Sequence, residues 1–476
     1  MKIRTDIIRL YKDVHGWVGI FCGLFLFTAF FAGAVTMFQG PLERWLSPAV
    51  MVPSTPMADV PRLIQQTLKT HPEAKRGYSI TIDENAPDQA RMVWVKRDKD
   101  TARDHDETKG TRFSAGFGPD GKLNVAVTPV TPVGHFINLL HQQAGIPLGH
   151  ETAMIIVGII CLLYAIALVS GVIILLPSLV KDLFAMRLGK NIKRKWLDIH
   201  NALGIFSLPF HIIMALTTLV FAFHDVFYDV QDTVVHGGRI QQLWSRPNVP
   251  KPARGTPLQP ASEIIAGMQE TYPDFTVTRL EYSAGKGGAL LLRVWGTDPQ
   301  HGVRAREEGF AVLNPYSGAV IQNDYMPGAQ NGWYATLTAF FTLHFGSYGG
   351  LPVRWGYFAL GLVGAFLFYS GNVLWVETRR RRNGGVDTGS TRNLERLTIG
   401  WVAGTVAGTA LLIAAGKAAA MAGVRLNPWM AFYVIFIAVM LWAFLRPAVA
   451  AKRELFWFSG LTSAATGACL LIVQFV

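Results

Sequence analysis

The chain carries one nine-residue pattern twice, and each copy opens a long apolar run. The pattern D-x-H-x-x-x-G-I-F occupies residues 13–21 and again residues 198–206, which gives His15 and His200 equivalent positions. An ionisable side chain inside a membrane-length helix is costly and is usually retained for a function. The repeat therefore predicts a duplicated membrane fold in which two histidines lie at the same depth.

The segments that follow the two copies also match in order. Each copy continues with a polar segment of domain size, a Leu-His step, a glycine-rich bend and a second apolar run. The Leu-His steps contain His141 and His344, and the second apolar runs share a Ser-Gly pair at residues 170–171 and 370–371. We interpret the chain as an internal tandem duplication.

The composition excludes an ordinary soluble protein of this length. Half of the residues are apolar and only 16% are charged, and a helix needs roughly 20 apolar residues to span a bilayer. By this criterion we predict a multi-pass α-helical membrane protein with about seven transmembrane helices, at residues 17–38, 152–176, 201–223, 354–376, 398–420, 428–445 and 455–475.

The distribution of lysine and arginine predicts the orientation. Basic clusters lie before the first predicted span, between the second and third, after the fourth, and between the sixth and seventh. The positive-inside rule then places the N-terminus in the cytoplasm and both long polar segments on the opposite side. The net charge of +12 follows mostly from this topology, so the sequence gives no reason to expect binding of nucleic acid.

Each long polar segment shows a short helix pattern followed by alternating strands, which predicts two small α+β modules. Strands are expected at residues 78–82 and 91–95 in the first module and at 275–282, 289–295 and 310–313 in the second. The predicted organisation is span 1 (1–39), first module (40–140), span 2 (141–180), loop and span 3 (181–224), second module (225–340), span 4 (341–385) and a three-span C-terminal extension (386–476).

Over residues 1–385 this order of motifs resembles the PepSY-associated transmembrane family. The resemblance is carried by the two D-x-H helices, the Leu-His steps, and the strings SLPFH at 207–211 and YSGNVLWVETRR at 369–380. That family includes inner-membrane haem proteins that reduce ferric siderophores, and other members known only as iron-regulated or uncharacterised. The resemblance implies a bacterial inner-membrane location with two PepSY-like modules in the periplasm, and it leaves the last three spans unexplained.

The histidines are candidate ligands of haem b, because neutral imidazole is an ordinary axial ligand and ligation removes the cost of an unpaired ring in hydrocarbon. On a straight helix, His200 and His211 would share a face and lie about 16 Å apart. We expect His15 and His200 to form an inner site. The outer site would take its ligands from His141, His211 and His344.

The choice of outer ligands stays open at this point. Symmetry favours His141 with His344, whereas the face shared with His200 favours His211, whose counterpart in the first copy is Leu26. The alternative reading is that the histidines are interfacial or helix-capping residues, hydrogen-bonded to lipid headgroups or to Asp13 and Asp198.

The absence of nucleotide-binding and hydrolase motifs narrows the range of possible functions. The chain has no G-x-G-x-x-G after a strand, no P-loop and no hydrolase motif, so electrons would come from a membrane quinol or a cytoplasmic partner. The expected function is a two-haem electron-transfer protein that reduces a periplasmic ferric siderophore or another ferric chelate docked between the two modules. The alternative is a non-catalytic PepSY membrane protein that binds or regulates a periplasmic partner or assists iron uptake.

Overall fold

The computed structural model describes residues 4–47, 52–53, 55–82, 90–96, 110–128, 130–179, 191–238, 249, 252–253, 255–285, 289–305 and 307–473. The chain divides into two compact units. The first, which we call the membrane unit, comprises Met1–Leu46, Thr131–Phe227 and Trp355–Val476. The second, the sheet unit, comprises Ser47–Val130 and Tyr228–Arg354.

The described α-helices are, in chain order, α1 (Thr5–Thr36), α2 (Gln39–Leu46), α3 (Val60–Thr70), α4 (Val133–Gln142), α5 (His150–Leu175), α6 (Ile192–Phe206), α7 (Leu208–Ala222), α8 (His224–Gln231), α9 (Ala261–Thr271), α10 (Gly332–Phe345), α11 (Gly350–Arg382), α12 (Gly389–Met421), α13 (Pro428–Leu445) and α14 (Ala448–Val473). Short 3-10 turns also occur at Met57–Asp59, Pro72–Arg76 and Leu176–Ser178, with a π-helical turn at Asp232–His236.

Within the described residues, five helices are long and apolar enough to span a membrane: α1, α5 with its 3-10 extension, α11, α12 and α13. Helices α6 and α7 pass the same test only as a bent pair, so the described residues contain five or six candidate spans, and the expected count of seven is not confirmed. The predicted seventh span falls in α14, whose first turns carry Lys452, Arg453 and Glu454 and whose middle is rich in glycine, alanine and hydroxyl side chains.

The third predicted span is broken. Helix α6 ends at Phe206, α7 begins at Leu208, and their axes differ by 67°. Pro209 explains the break, because its ring lacks an N–H and clashes with the preceding turn of a continuous helix. At the end of α6 the Leu203 carbonyl accepts both the backbone N–H of Ser207 (3.0 Å) and its hydroxyl (2.7 Å). The prediction that His200 and His211 share one helix face was therefore wrong, because it assumed a straight helix.

The sheet unit contains one antiparallel sheet of eight strands. They are β1 (Gly77–Thr81), β2 (Met92–Lys96), β3 (Thr111–Phe117), β4 (Leu123–Thr128), β5 (Thr276–Ala284), β6 (Leu290–Thr297), β7 (Gly309–Leu313) and β8 (Val320–Gln322). Their order is β4-β3-β2-β1-β5-β6-β7-β8. Helices α3 and α9 pack Leu63 and Ile264 into the same apolar core. The strands predicted from sequence alternation are confirmed.

The first strands of the two modules pair with each other at the centre of this sheet. Strands β1 and β5 run antiparallel, and Tyr78 lies opposite Tyr282, with their rings stacked at a centroid distance of 4.8 Å. Backbone hydrogen bonds fill this seam, so the two halves share one sheet and one core. A chelate was expected to dock between two separate modules, but the pairing of β1 with β5 closes that space along the seam.

Candidate functional site

His15 is held against helix α5. Its Nδ1 lies 2.8 Å from the Ala167 carbonyl and 3.4 Å from the Ser170 hydroxyl. A Cβ added to Gly171 would lie 3.0 Å from Cε1 of the ring. The Ser-Gly pair therefore does two things: serine offers a polar contact to the imidazole, and glycine leaves the space that the ring fills.

His200 has the same surroundings on helix α11. Its Nδ1 lies 3.0 Å from the Ser370 hydroxyl, and a Cβ on Gly371 would lie 3.3 Å from its Cε1. The duplicated sequence thus folds into duplicated contacts, in which each D-x-H histidine rests on the Ser-Gly pair of its own copy.

The structure brings these two histidines together. The ring centroids of His15 and His200 lie 6.2 Å apart, and their planes are 73° from parallel. The hydrogen bonds of both rings run through Nδ1 to α5 and α11, and none goes to Asp13 or Asp198. Asp198 is buried and pairs with Arg194 at 3.2 Å. Within the described residues Nε2 of each ring makes no hydrogen bond, so both second nitrogens are open to a ligand.

His211 lies deep in the membrane unit and is 1% exposed. Tyr164 holds its Nδ1, with an O···N distance of 2.6 Å, and the same hydroxyl lies 3.2 Å from the His211 carbonyl. If Nδ1–H donates to the phenol oxygen, the phenol can donate to that carbonyl, and Nε2 keeps its lone pair. Nε2 is buried and has no hydrogen-bond partner among the residues that the structure describes. A buried ring nitrogen without a partner costs free energy in hydrocarbon, and binding of a metal ion to its lone pair would remove that cost.

Aromatic residues and a glycine surround His211. Phe30 stacks on the ring at 5.3 Å, and Phe368 meets it edge-on at 6.0 Å. A Cβ on Gly364 would lie 3.3 Å from its Cε1. Tyr164 and Gly364 each lie six residues before the Ser-Gly pair of their helix. Equivalent positions of the two copies therefore both contact His211.

His141 lies against the opposite half of helix α1 from His15. Its Nδ1 is 2.8 Å from the Ala29 carbonyl, and a Cβ on Gly33 would lie 2.8 Å from that nitrogen. Because Phe30 contacts His211, the structure brings His141 and His211 to one turn of α1. The four histidines thus form two groups along the membrane unit.

The separation of the two groups follows from helix geometry. His15 and Ala29 are 14 residues apart on α1, or about 21 Å. Gly371 and Gly364, which His200 and His211 touch, are seven residues apart on α11, or about 10 Å. The positions that His200 and His211 contact on α11 are thus closer together than the 16 Å expected from a straight helix, in keeping with the bend between α6 and α7.

His344 belongs to the sheet unit, whereas the other four histidines belong to the membrane unit. It lies in the last turn of α10, in the sheet unit, half-buried beside Phe345 at a ring distance of 5.7 Å. Its relation to the outer group stays a prediction. The histidines for which no cofactor role is predicted include His150 and His224, which are both exposed. The side chain of His236 lies outside the described residues.

Sequence reasoning missed Tyr164, Gly33 and Gly364. The signal for Tyr164 was a single phenol in an otherwise apolar span, and such a group needs a partner when it is buried. No sequence feature distinguishes Gly33 and Gly364 from the other glycines, because their contacts with His141 and His211 arise only in the fold. In the described residues no three His, Cys, Asp or Glu side chains converge, so the candidate sites are built from pairs of histidines.

Two comparisons with known proteins find matches to this chain. Residues 13–378 match the family described as the PepSY-associated TM region. The chain is also 27% identical, over 288 residues, to the uncharacterized protein PA4219 of Pseudomonas aeruginosa, an alignment that covers 56% of this chain and 69% of the relative. The family match extends from the first D-x-H pattern into the last turns of α11 and includes every histidine of the two groups. The chain belongs to the PepSY-associated transmembrane family.

Proposed function

We propose that the protein binds two haem b groups through its paired histidines and reduces a ferric siderophore or another ferric chelate at the periplasmic face of the bacterial inner membrane. The observation that carries this proposal is the distance between the His15 and His200 rings. An imidazole nitrogen binds a metal at about 2 Å and lies roughly 1 Å from its ring centre, so two imidazoles on opposite sides of one metal have ring centres about 6 Å apart. The observed distance is 6.2 Å.

The hydrogen bonds of the histidines support the same function. A metal-bound histidine usually gives its other ring N–H to a carbonyl, carboxylate or hydroxyl group, which fixes the tautomer and orients the ring. Ala167, Ser370, Ala29 and Tyr164 supply such an oxygen to Nδ1 of His15, His200, His141 and His211, respectively. All four rings are therefore oriented by Nδ1, and Nε2 of His15, His200 and His211 is the nitrogen assigned to iron.

The glycines support a precise placement of the histidine rings, as a metal site requires. Each of the four rings lies where a Cβ on the opposing helix would crowd it, so the histidines are placed tightly and their helices approach closely. Bound to these histidines, haem would supply one-electron chemistry, which the side chains themselves do not offer. The protein's own part is to hold the imidazoles neutral, orient them and exclude water.

The second group, near Ala29 of α1, supplies the outer site. His211 has the strongest support as a ligand, because its Nε2 is buried and no described residue forms a hydrogen bond with it. His141 reaches the same turn of α1, and His344 remains the symmetric alternative. Two sites roughly 10 to 20 Å apart along the helices would cover much of a hydrocarbon layer of about 30 Å.

The proposed reaction is the transfer of one electron to Fe3+ in the chelate. The electron would come from a membrane quinol or a cytoplasmic reductase. Reduction to Fe2+ lowers the charge of the cation, so anionic oxygen ligands hold it less tightly and the iron is released.

The test uses the full chain purified in detergent. A pyridine haemochrome assay should report a b-type cofactor close to two per chain. Dithionite-reduced protein should then be reoxidised by ferric hydroxamate, catecholate or citrate, with Fe2+ captured by ferrozine. Protein that contains no haem after expression with added haem precursor would overturn the proposal. Haem that stays reduced with every chelate would leave binding or regulation of a partner as the function.

A further inference from the structure

A small cavity in the sheet unit combines a cation with aromatic walls. Its volume is about 280 Å³, and its lining includes Arg304, Glu308, Phe310, Tyr325 and Phe341. These residues come from the loop after β6, from β7, from the loop after β8 and from α10. The long loops of the second module therefore build this site.

Arg304 is the cation of this cavity. Its guanidinium carbon lies 4.7 Å from the centre of the Tyr325 ring and 4.8 Å from that of Phe341. Both distances are within the range of cation–π contact. Among the residues that the structure describes, Arg304 makes no ion pair or hydrogen bond. The two rings hold its planar group in place, and no described residue supplies an acceptor to its N–H donors.

The acidic residue of the cavity does not neutralise Arg304. Glu308 accepts a hydrogen bond from the Thr278 hydroxyl and pairs with Arg279 at 3.2 Å. The neighbouring Glu307 pairs with Arg354 at 3.1 Å. Both carboxylates are thus committed to other partners, and the positive charge of Arg304 dominates the cavity.

The walls and the volume restrict the group that fits. Phe310 stacks on Tyr325 at 5.0 Å, which continues the aromatic surface beside Arg304. A cavity of about 280 Å³ is slightly smaller than most small-molecule sites, which begin at about 300 Å³. It accommodates one six-membered ring with its substituents and not a whole chelate complex.

We infer that this cavity binds an aryl ring bearing anionic oxygens, the catecholate arm of a ferric chelate. An aromatic face suits the stacked walls, and adjacent anionic oxygens match the fork of donors on a guanidinium group. This inference rests on the proposed function and narrows its substrate to anionic aryl chelates. Neutral hydroxamate chelates offer neither the ring nor the charge.

The test separates binding from reduction by using gallium. The tris(2,3-dihydroxybenzoate) complex of Ga3+ is titrated into the full chain in detergent, with the quenching of tryptophan fluorescence as the readout. Neutral Ga3+ tris(acetohydroxamate) is the ligand control. Arg304→Gln removes the charge and keeps most of the volume. Arg62→Gln is the matched control, because Arg62 also lies over an aromatic ring, at 4.6 Å from Phe117, in the same unit.

Arg304→Gln should weaken binding of the aryl complex at least tenfold, and Arg62→Gln should change it less than twofold. The hydroxamate complex should be insensitive to both changes. Equal affinities of wild type and Arg304→Gln, or equal losses in the two variants, would overturn the inference. Because Ga3+ is not reduced under these conditions, Arg304-dependent binding without any ferric reductase activity would leave this site standing and reject the proposed function. If the Arg304→Gln protein reduces the ferric chelate as fast as the wild type, the proposed function stands and this site is rejected.

Discussion

Gly171 lies so close to His15 that a Cβ atom at this glycine would be 3.0 Å from Cε1 of the imidazole. The second copy repeats the relationship between Gly371 and His200 at 3.3 Å. Contacts below about 3.4 Å at a new Cβ require the neighbour to move, and each ring is also fixed by a hydrogen bond through Nδ1. The glycines therefore set the positions of the two rings.

The first prediction follows from this contact. Gly171→Val should displace the His15 ring and lower the inner haem content by at least half, while the outer haem remains. Gly460→Val is the control, since a Cβ at Gly460 meets nothing within 4 Å. Haem per chain is measured by pyridine haemochrome, and thermal unfolding checks that both variants fold. An unchanged haem content in Gly171→Val would contradict this role of the glycine.

The second prediction concerns the inner ligands. His15→Ala and His200→Ala should each remove about one of two haems, and the double variant should lose no more than either single one, because one bis-histidine site fails when either ligand is lost. The control is His150→Ala, an exposed histidine at the start of α5. Absorbance of the reduced purified proteins gives the content. A double variant that retains all of its haem would reject the pair as ligands.

The third prediction concerns the oxygen that holds His211. Tyr164→Phe keeps the aromatic ring but removes the hydroxyl that contacts Nδ1 at 2.6 Å. The loss of such a supporting hydrogen bond costs about 10- to 100-fold in metal affinity, so the outer haem should dissociate more readily to apomyoglobin and the inner haem should not. Tyr433→Phe is the matched control, because it removes a phenol that donates to the Gly145 carbonyl in the same unit. Equal rates of haem loss in the two variants would show that Tyr164 has no special role.

The inner pair was predictable because its signals are local and occur twice. One spacing places each histidine on its helix, and the repeated Ser-Gly pair marks the surface on which it rests. The helix break was also predictable from the sequence, because Pro209 cannot continue a regular helix without the loss of a hydrogen bond. The apolar run around it conceals this effect, because hydropathy reports length and polarity and not the direction of the axis.

The seam of the sheet could not be predicted from local patterns. Alternation in residues 78–82 and 275–282 predicts two strands, but each strand could pair with a neighbour in its own module or with the other module. Pairing of β1 with β5 joins segments almost 200 residues apart, and only the complementarity of their faces, such as Tyr78 opposite Tyr282, selects it. The Arg304 cavity was missed for the same reason, because Tyr325 and Phe341 approach Arg304 through the tertiary fold alone.

The last prediction concerns the stability of this seam at high pH. Burial raises the pKa of Tyr282 to about 12, and burial together with the neighbouring phenol of Tyr282 raises the pKa of Tyr78 well above its ordinary value. The unfolded chain releases a phenol proton near pH 10. The folded state keeps both protons longer, so the stabilisation is fully present below about pH 10 and is lost as the pH rises through 10 to 12. Each group contributes a slope of up to about 1.4 kcal/mol per pH unit in that window.

Replacing both side chains, Tyr78→Phe with Tyr282→Phe, should therefore flatten the fall of the unfolding midpoint between about pH 10 and 11.5. The stacked rings remain in this variant. Tyr78 loses a buried hydroxyl that has no hydrogen-bond partner among the described residues, so stability at pH 8 should be unchanged or higher. Tyr272→Phe, at a partly exposed tyrosine of the same unit, is the control. Near-ultraviolet circular dichroism during heating of the full chain follows the transition. A double variant that destabilises with pH as steeply as the Tyr272→Phe protein would show that the two seam phenols ionise as freely in the fold as in the unfolded chain.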